Sequence, residues 1–264
     1  MSPRKLKTLS ITAALALALS ACGSGGTDAA EGEPELLSAG ELTVCTDAPY
    51  KPFVKPDKSA PSGYSGFDID IAAAIAEKMD LELKVKDAGF DGLQSGASLA
   101  AGQCDVVVSA MTITEEREAN LDFSDPYYDS KQSLLAVTGS GIASLDDLDG
   151  KKLGVQQGTT GAEYAKDNVP DGAQLISFPS DAELYAALNS GGVQAVLQDL
   201  PVNLVHTGEG EFEIVEEYDT DESYGMAVKE EGSEDLLAAI NENLQALKDS
   251  GDYDTIYEKY FSTK

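Results

Sequence analysis

The stretch Val106-Val-Val-Ser-Ala-Met-Thr-Ile-Thr-Glu-Glu-Arg117 passes from an apolar strand, through small and hydroxyl residues, into a helix. Thr114 is placed to cap that helix, and Glu115 and Glu116 fall in its first turn, where the helix dipole favours acids. In open α/β sheets, ligands collect beyond the carboxyl ends of the strands. Arg117 therefore lies where a small anion would dock, and its planar guanidinium can hold a carboxylate with two hydrogen bonds.

Around this junction, short apolar strands alternate with amphipathic helices, which is typical of α/β lobes with largely parallel sheets. Helices are predicted over 67–79, from the capping box at 180–183, over 233–248, and after Gly251. The last helix is expected to bury Tyr253, Ile256, Tyr257, Tyr260 and Phe261. The strands are predicted at 42–45, 83–86, 106–109, 134–137, 153–155, 175–178, 195–198, 212–215 and 226–228.

Two stretches interrupt this alternation. The segment 122–128 contains a proline, and the segment 216–224 is crowded with acids. We interpret both as irregular crossings between two lobes, with hinge segments at 127–131 and 219–224. Lobe 1 is then predicted at 39–126, completed by the C-terminal helices at 225–264, and lobe 2 at 127–224.

The N-terminus has the pattern of an export signal. Basic residues are followed by a short apolar core over 8–19 and by Leu19-Ser-Ala-Cys22. The apolar run is too short to span a bilayer permanently. The tetrapeptide resembles the lipobox of bacterial lipoproteins, so residues 1–22 are interpreted as a signal peptide whose removal leaves Cys22 lipid-modified. An ordinary secretory signal that is cut nearby is the alternative.

Residues 23–38 carry small and acidic side chains and are predicted to form a flexible tether. The remaining chain, about 225 residues, is long enough for two compact lobes. The sequence has 18 basic and 47 acidic residues and a net charge of −29. Such a surface repels nucleic acid and anionic lipid, and we interpret it as a solubility feature that says little about the pocket.

Once Cys22 is assigned to lipid, Cys45 and Cys104 remain, in a compartment that permits disulfides. Cys45 lies late in its predicted strand, whereas Cys104 precedes its own strand. If these strands were adjacent and parallel, that register would separate the two cysteines by more than a disulfide can span. A bond stays open if the strand order differs.

Motifs spread over nearly the whole mature chain resemble those of one known family. They are Gly66-Phe-Asp-Ile-Asp-Ile71, Met111-Thr-Ile-Thr-Glu-Glu-Arg117, Leu121-Asp-Phe-Ser-Asp-Pro-Tyr127, Gly154-Val-Gln-Gln-Gly-Thr-Thr160, Gln198-Asp199 and Tyr253-Asp-Thr-Ile-Tyr257. In this order they are similar to the family 3 solute-binding proteins, which serve polar amino-acid ABC transporters. The resemblance implies a type II periplasmic-binding-protein fold, in which two α/β lobes and a two-stranded hinge enclose a cleft for one L-amino acid.

The resemblance implies how the ligand carboxylate would be held. Arg117 would bind it, with help from the hydroxyl and backbone of Thr112, and Thr160 would add a backbone N–H from the opposite lobe. Independently, the segment 158–161 precedes a helix and exposes unpaired N–H groups toward an anion. A plain glycine-rich turn is the alternative for that segment.

By the same resemblance, Asp199 would pair with the α-ammonium of the ligand, and Ala110 would offer its carbonyl. Without the resemblance, an aspartate at a strand end before Pro201 is more readily explained as a helix N-cap. The rings of Tyr50 and Phe90 would sandwich the side chain of the ligand.

The side-chain end of the cleft would be lined by Asp47, Gln156, Gln157 and Gln198. Asp47 accepts hydrogen bonds, and the glutamines both donate and accept. Because only Lys51 is a base near these positions, an acidic ligand would have a poorly compensated charge. We expect a basic or amide-bearing ligand such as arginine, lysine, histidine or glutamine. Glutamine binders of the family tend to have lysine at position 156, so its absence favours the basic amino acids.

Other polar residues receive structural interpretations. Asp68 and Asp70 fall in the first turn of a helix, where its dipole favours acids. His206 is the one histidine of the chain and is expected at the surface. One histidine and separated cysteines predict no metal site, no nucleophilic triad and no cofactor.

Together these patterns predict a monomeric, lipid-anchored receptor on the extracytoplasmic face of the bacterial cell membrane. It would capture a free L-amino acid and deliver it to an ABC permease and its ATPase, and it would bind no nucleic acid and catalyse no reaction. The alternative is a cyclohexadienyl (prephenate or arogenate) dehydratase, because that enzyme has the same fold. A sensory domain is a third class, although no transmembrane or kinase segment follows.

Overall fold

The computed structural model describes residues 34–208 and 210–262, so the predicted signal peptide, Cys22 and most of the tether lie outside it. The strands are β1 (Glu41–Thr46), β2 (Lys55–Pro56), β3 (Tyr64–Ser65), β4 (Glu82–Asp87), β5 (Val106–Val107), β6 (Leu121–Phe123), β7 (Tyr128–Val137), β8 (Lys152–Gln156), β9 (Gln174–Phe178), β10 (Ala195–Asp199), β11 (Phe212–Tyr224) and β12 (Ala227–Lys229). The helices are α1 (Phe67–Lys78), α2 (Phe90–Gln94), α3 (Ala97–Ala100), α4 (Glu115–Glu118), α5 (Thr160–Asn168), α6 (Asp181–Asn189), α7 (Leu200–Leu204), α8 (Glu234–Ser250) and α9 (Asp252–Phe261). A 3-10 turn covers Leu145–Leu148.

The strands form two five-stranded sheets, and both are mixed. In the first, ordered β4-β1-β5-β12-β6, β1 is parallel to β4 and β5, whereas β12 is antiparallel to β5 and β6. In the second, ordered β11-β7-β10-β8-β9, β8 is parallel to β9 and β10, whereas β7 is antiparallel to β10 and β11. The prediction of largely parallel sheets was wrong, because the chain enters and leaves the second sheet at the same end. Strands β7, β11 and β12, which lie where the chain crosses between the sheets, are therefore antiparallel to their neighbours.

Two long strands, β7 and β11, connect the sheets. They pair along their length, with Tyr128 opposite Tyr224 at the end nearest the first sheet. The register shifts twice, once between Tyr218 and Glu222, which marks bulges in β11. The segment 216–224, which we interpreted as irregular, is part of strand β11. The prediction was wrong because the bulges break the alternation by which a strand is recognised. The segment predicted as irregular at 122–128 likewise contains the end of β6.

Helices α1 and α8 pack together with the first sheet, as their apolar periodicity predicts. The C-terminal helix α9 differs from the prediction. Its residues are intermediate or exposed, and Tyr257 is 39% exposed. The helix lies on the surface of the core, where the ring of Phe261 contacts Tyr128 at a centroid distance of 4.9 Å. Its aromatic residues lie against the hinge strand β7, and they are half-buried except for the exposed Tyr257.

Cys45 and Cys104 form a disulfide, with Cα atoms 5.6 Å apart. β1 and β5 are adjacent and parallel, which is the arrangement we expected to prevent this bond. The register argument was wrong because it assumed an extended chain at Cys104. That residue lies in the connection before β5 begins at Val106, and it packs beside Cys45 in an apolar cluster on one face of the sheet.

Candidate functional site

A cleft between the two sheets contains most of the predicted site. Side-chain hydrogen bonds cross it from Tyr50 to Asp199, from Gln156 to Asp47 and from Arg117 to Gly158, so the structure is of a closed form. Nine of the ten predicted ligand-binding residues line the cleft, and Gln198 does not. The lining residues are Asp47, Tyr50, Phe90, Ser109, Ala110, Thr112, Arg117, Gln156, Thr159, Thr160 and Asp199.

Arg117 lies in the one-turn helix α4, whose N-cap Thr114 accepts a hydrogen bond from the Arg117 backbone N–H at 3.2 Å. The residue is 5% exposed, and its guanidinium donates to the carbonyl of Thr112 at 2.6 Å. It also donates across the cleft to the carbonyl of Gly158 at 3.0 Å, and it lies 5.4 Å from the centroid of the Phe90 ring.

Burial lowers the pKa of Arg117, because the charged form has lost its hydration. Within the described part of the chain, none of the ion pairs includes this residue. The guanidinium is thus a buried cation held by carbonyl groups, and an anion in the cleft would compensate its charge.

Opposite Arg117, the cleft is lined by the start of helix α5, which follows strand β8 of the second sheet. Thr159 caps this helix by accepting a hydrogen bond from the backbone N–H of Ala162 at 3.1 Å. Because Thr160 is the first helical residue, its N–H and that of Gly161 have no acceptor within the helix. Gly161 lets the helix approach β7, since a Cβ atom there would lie 2.7 Å from Oε1 of Gln132. The predicted helix is present, but it begins at Thr160 and so takes in the last two residues of the segment 158–161.

Asp199 ends β10 and is 7% exposed. One carboxylate oxygen accepts from Nε2 of Gln132 at 2.6 Å, and the other accepts from the hydroxyls of Tyr50 at 2.7 Å and Tyr224 at 2.6 Å. Although helix α7 follows, the side chain does not cap it. Burial, together with the nearby charge of Glu222, raises the pKa of Asp199 to about 6. This carboxylate therefore suits a cation in the cleft.

At the side-chain end, Asp47 and Gln156 face each other across the cleft, and Nε2 of Gln156 donates to Asp47 at 2.6 Å. Burial is the main cause that raises the pKa of Asp47 to about 6, and the hydrogen bond from Gln156 opposes it. Oε1 of Gln156 is buried and has no hydrogen-bond partner in the described structure. Both residues thus present acceptor atoms at this end.

Two predicted lining residues point elsewhere. Nε2 of Gln198 donates to Asp181 at 2.7 Å, away from the cleft. Consecutive strand residues face opposite sides of a sheet, so Gln198 cannot face the cleft when Asp199 does. Gln157 is exposed outside the cleft. The glutamine that faces the cleft is Gln156.

Two structural interpretations also need correction. Asp68 lies in the first turn of α1 as predicted, but its position at the helix dipole is not its main role. It is fully buried, and it accepts from the backbone N–H of Ala110 at 2.7 Å and from the hydroxyl of Tyr127 at 2.9 Å. Burial raises its pKa to about 7. His206 is half-buried and stacks on Tyr185, and desolvation lowers its pKa to about 4.

Sequence reasoning missed four residues that hold the site. Ser109 follows β5, and its hydroxyl accepts a hydrogen bond from the Asp47 backbone N–H at 3.0 Å. Gln132, Glu222 and Tyr224 lie in the hinge strands and contact lining residues. No local pattern in the sequence indicates that these hinge residues reach the site, because the bulges in β11 break the alternation of its side chains. Within residues 34–208 and 210–262, no helix is long and apolar enough to cross a membrane, and no group of side chains suits a metal ion.

The chain is similar to known amino-acid-binding proteins. The family described as bacterial extracellular solute-binding proteins, family 3, matches residues 42–263. The ABC transporter glutamine-binding protein GlnH of Bacillus subtilis is 35% identical over 97% of this chain and 97% of its own length. An ancestral arginine-binding protein, whose structure was solved bound to arginine, is 41% identical, with a TM-score of 0.78 over 84% of this chain and 99% of that one. An ancestral amino acid-binding protein, described as a precursor of cyclohexadienyl dehydratase, is 37% identical, with a TM-score of 0.74 over 84% of this chain and 96% of that one.

Proposed function

Because the chain belongs to the bacterial extracellular solute-binding proteins of family 3, with their two-lobed type II fold, we propose that it binds a basic or amide-bearing L-amino acid for an ABC importer. The lobes would have the predicted boundaries, since the first sheet takes its strands from 41–123 and 227–229 and the second from 128–224.

One observation carries this proposal: a single cleft contains a buried guanidinium without a carboxylate and a buried carboxylate without a cation. Arg117 and Asp199 are both less than 10% exposed, and neither takes part in an ion pair among the described residues. A zwitterion compensates both charges at once, with its carboxylate on Arg117 and its ammonium on Asp199. Backbone groups of Thr160 and Ala110 would complete the two ends.

The nature of the side chain follows from the opposite end of the cleft. Asp47 and Oε1 of Gln156 are acceptors there, so the ligand side chain would bring N–H donors. Tyr50 and Phe90 would contact its apolar part. Glutamate and aspartate would add a negative charge beside Asp47 without a compensating base, and we expect them to be rejected.

Binding would require the closed cleft to exchange its own hydrogen bonds for bonds to the ligand. Tyr50 with Asp199, Asp47 with Gln156, and Arg117 with Gly158 now bridge the two sides. A hinge motion would open the cleft, and the ligand would favour closure by contacting both lobes.

A thermal-shift screen with the twenty amino acids tests this function. At a hundred times its dissociation constant, a ligand stabilises the folded state by about 2.7 kcal/mol. Arginine, lysine, histidine or glutamine should raise the unfolding temperature, and glutamate and aspartate should not. An unfolding temperature that no amino acid changes would refute the proposal.

We further propose that the protein is a monomer anchored to the extracytoplasmic face of the cell membrane by lipid on Cys22, and that it delivers its ligand to a permease and an ATPase. The lipobox pattern supports the anchor. In cells, Cys22→Ser should move the protein from the membrane fraction to the soluble extracytoplasmic fraction. Retention of the variant in membranes would contradict the anchor.

The protein is proposed to have no enzymatic activity, and the relation to a dehydratase precursor makes a direct assay worthwhile. Incubation with prephenate or arogenate should yield no aromatic product. Product that forms with the wild-type protein and is lost in Asp199→Asn would favour the dehydratase instead.

A further inference from the structure

Glu222 lies behind the cleft and accepts hydrogen bonds from a residue on each of its two sides. It lies in β11 and is 8% exposed, although it does not line the cleft. Its Oε2 accepts from the hydroxyl of Thr112 at 3.0 Å and from the hydroxyl of Thr160 at 3.0 Å. Nε2 of Gln132 donates to both carboxylate oxygens at 3.2 Å.

The backbone around Glu222 turns this side chain inward. The register of β11 against β7 shifts between Tyr218 and Glu222, and Asp221 has a φ of 49°, in the left-handed region that few residues other than glycine adopt. Bulges re-aim side chains and are frequent next to functional sites. Asp221 is exposed while Glu222 is buried, so the strained residue delivers a carboxylate to the interior.

The contacts of Glu222 determine whether the hydroxyls of Thr112 and Thr160 donate or accept hydrogen bonds in the cleft. A hydroxyl has one proton and two lone pairs, whereas a carboxylate only accepts. The protons of Thr112 and Thr160 are therefore directed to Glu222. Both threonines line the cleft, and toward it they retain lone pairs. Lone pairs suit an ammonium and cannot donate to a carboxylate, so the hydroxyl of Thr112 would not help Arg117 as the resemblance implies.

We propose that Glu222 is a positioning residue of the ammonium end: by taking both protons, it makes Thr112 and Thr160 acceptors that join Asp199 in binding the α-ammonium. This inference rests on the proposed amino-acid site. Because Thr112 and Thr160 belong to opposite sides of the cleft, the same carboxylate also holds the two acceptors together at 3.5 Å.

Calorimetric titration of the full protein with L-arginine, L-lysine, L-histidine and L-glutamine tests the inference. Glu222→Met has a similar length but no strong acceptor, and it should weaken binding by about tenfold or more. Glu222→Gln keeps one acceptor oxygen and should lose clearly less. In a Thr112→Val/Thr160→Val background, Glu222→Met should change affinity less than about twofold, because the hydroxyls through which Glu222 acts are absent.

The outcomes separate this inference from the proposed function. If the wild-type protein binds none of the four amino acids, the proposed function fails. If it binds one, the inference is overturned by normal affinity in Glu222→Met, by equal losses in the Met and Gln variants, or by an undiminished loss in the valine background. Circular dichroism and thermal unfolding without ligand check each fold, and Glu222→Leu replaces the Met variant if that variant does not fold.

Discussion

Arg117→Ala should remove most of the affinity for an amino acid while leaving the fold intact. In the wild-type site, the ligand carboxylate would leave water for a buried guanidinium whose only hydrogen-bond partners among the described residues are two carbonyl groups. Without that cation, the carboxylate is desolvated and unpaired, which costs about 3–5 kcal/mol. Affinity should therefore fall by roughly a hundredfold to a few thousandfold.

Isothermal titration calorimetry measures this loss with the amino acid that gives the largest thermal shift. Arg117→Lys keeps the charge but not the planar fork, so its loss should be intermediate. Lys166→Ala removes an exposed base of helix α5 and is the matched control, with unchanged affinity expected. Near-normal binding by Arg117→Ala, in a protein with a normal circular dichroism spectrum, would refute the assignment of the carboxylate end.

Three further predictions concern the ligand-free protein. Ala110 has a φ of 45°, so Ala110→Val should lower the free energy of unfolding by about 2 kcal/mol, whereas Ala110→Gly should change it by less than about 1 kcal/mol; denaturant titration measures both. Replacing both Cys45 and Cys104 by alanine should cost about 2–4 kcal/mol, because the bond closes a loop across a sequence separation of 59; a similar loss should follow when reductant is added to the wild-type protein. Burial raises the pKa of Asp68 to about 7, so the folded state binds its proton more tightly than the unfolded state does, and this group's contribution to stability should rise as pH falls from 8 to about 5. Asp68→Asn should flatten that pH dependence, and an unchanged slope would contradict the assignment.

The periodic elements of the fold could be predicted from the sequence. Helices α1, α6 and α8 have continuous apolar faces, and their predicted bounds agree with the structure within two residues. The hinge strands were harder, because bulges in β11 interrupt the alternation on which strand prediction depends. The antiparallel strands could not be foreseen from parallel βαβ patterning, since direction depends on where the chain crosses between the lobes.

The site could be predicted where it follows family motifs and not where it depends on long-range contacts. Arg117 and Asp199 lie in the cleft as expected. The prediction that Gln198 lines the cleft was wrong, although strand alternation alone indicates that it points away from the side that Asp199 faces. Glu222 and Tyr224 reach the site only because the hinge strand passes behind it, and no local pattern in the sequence indicates that path.

The central claim is that one cleft holds both ends of a free amino acid, and a crystal structure of the protein with its best-binding amino acid tests it most directly. The account predicts the carboxylate within hydrogen-bonding distance of the Arg117 guanidinium and the α-ammonium within hydrogen-bonding distance of Asp199, with the side chain directed to Asp47 and Gln156. A ligand bound outside the cleft, or one with its ammonium at Arg117 and its carboxylate at Asp199, would contradict it.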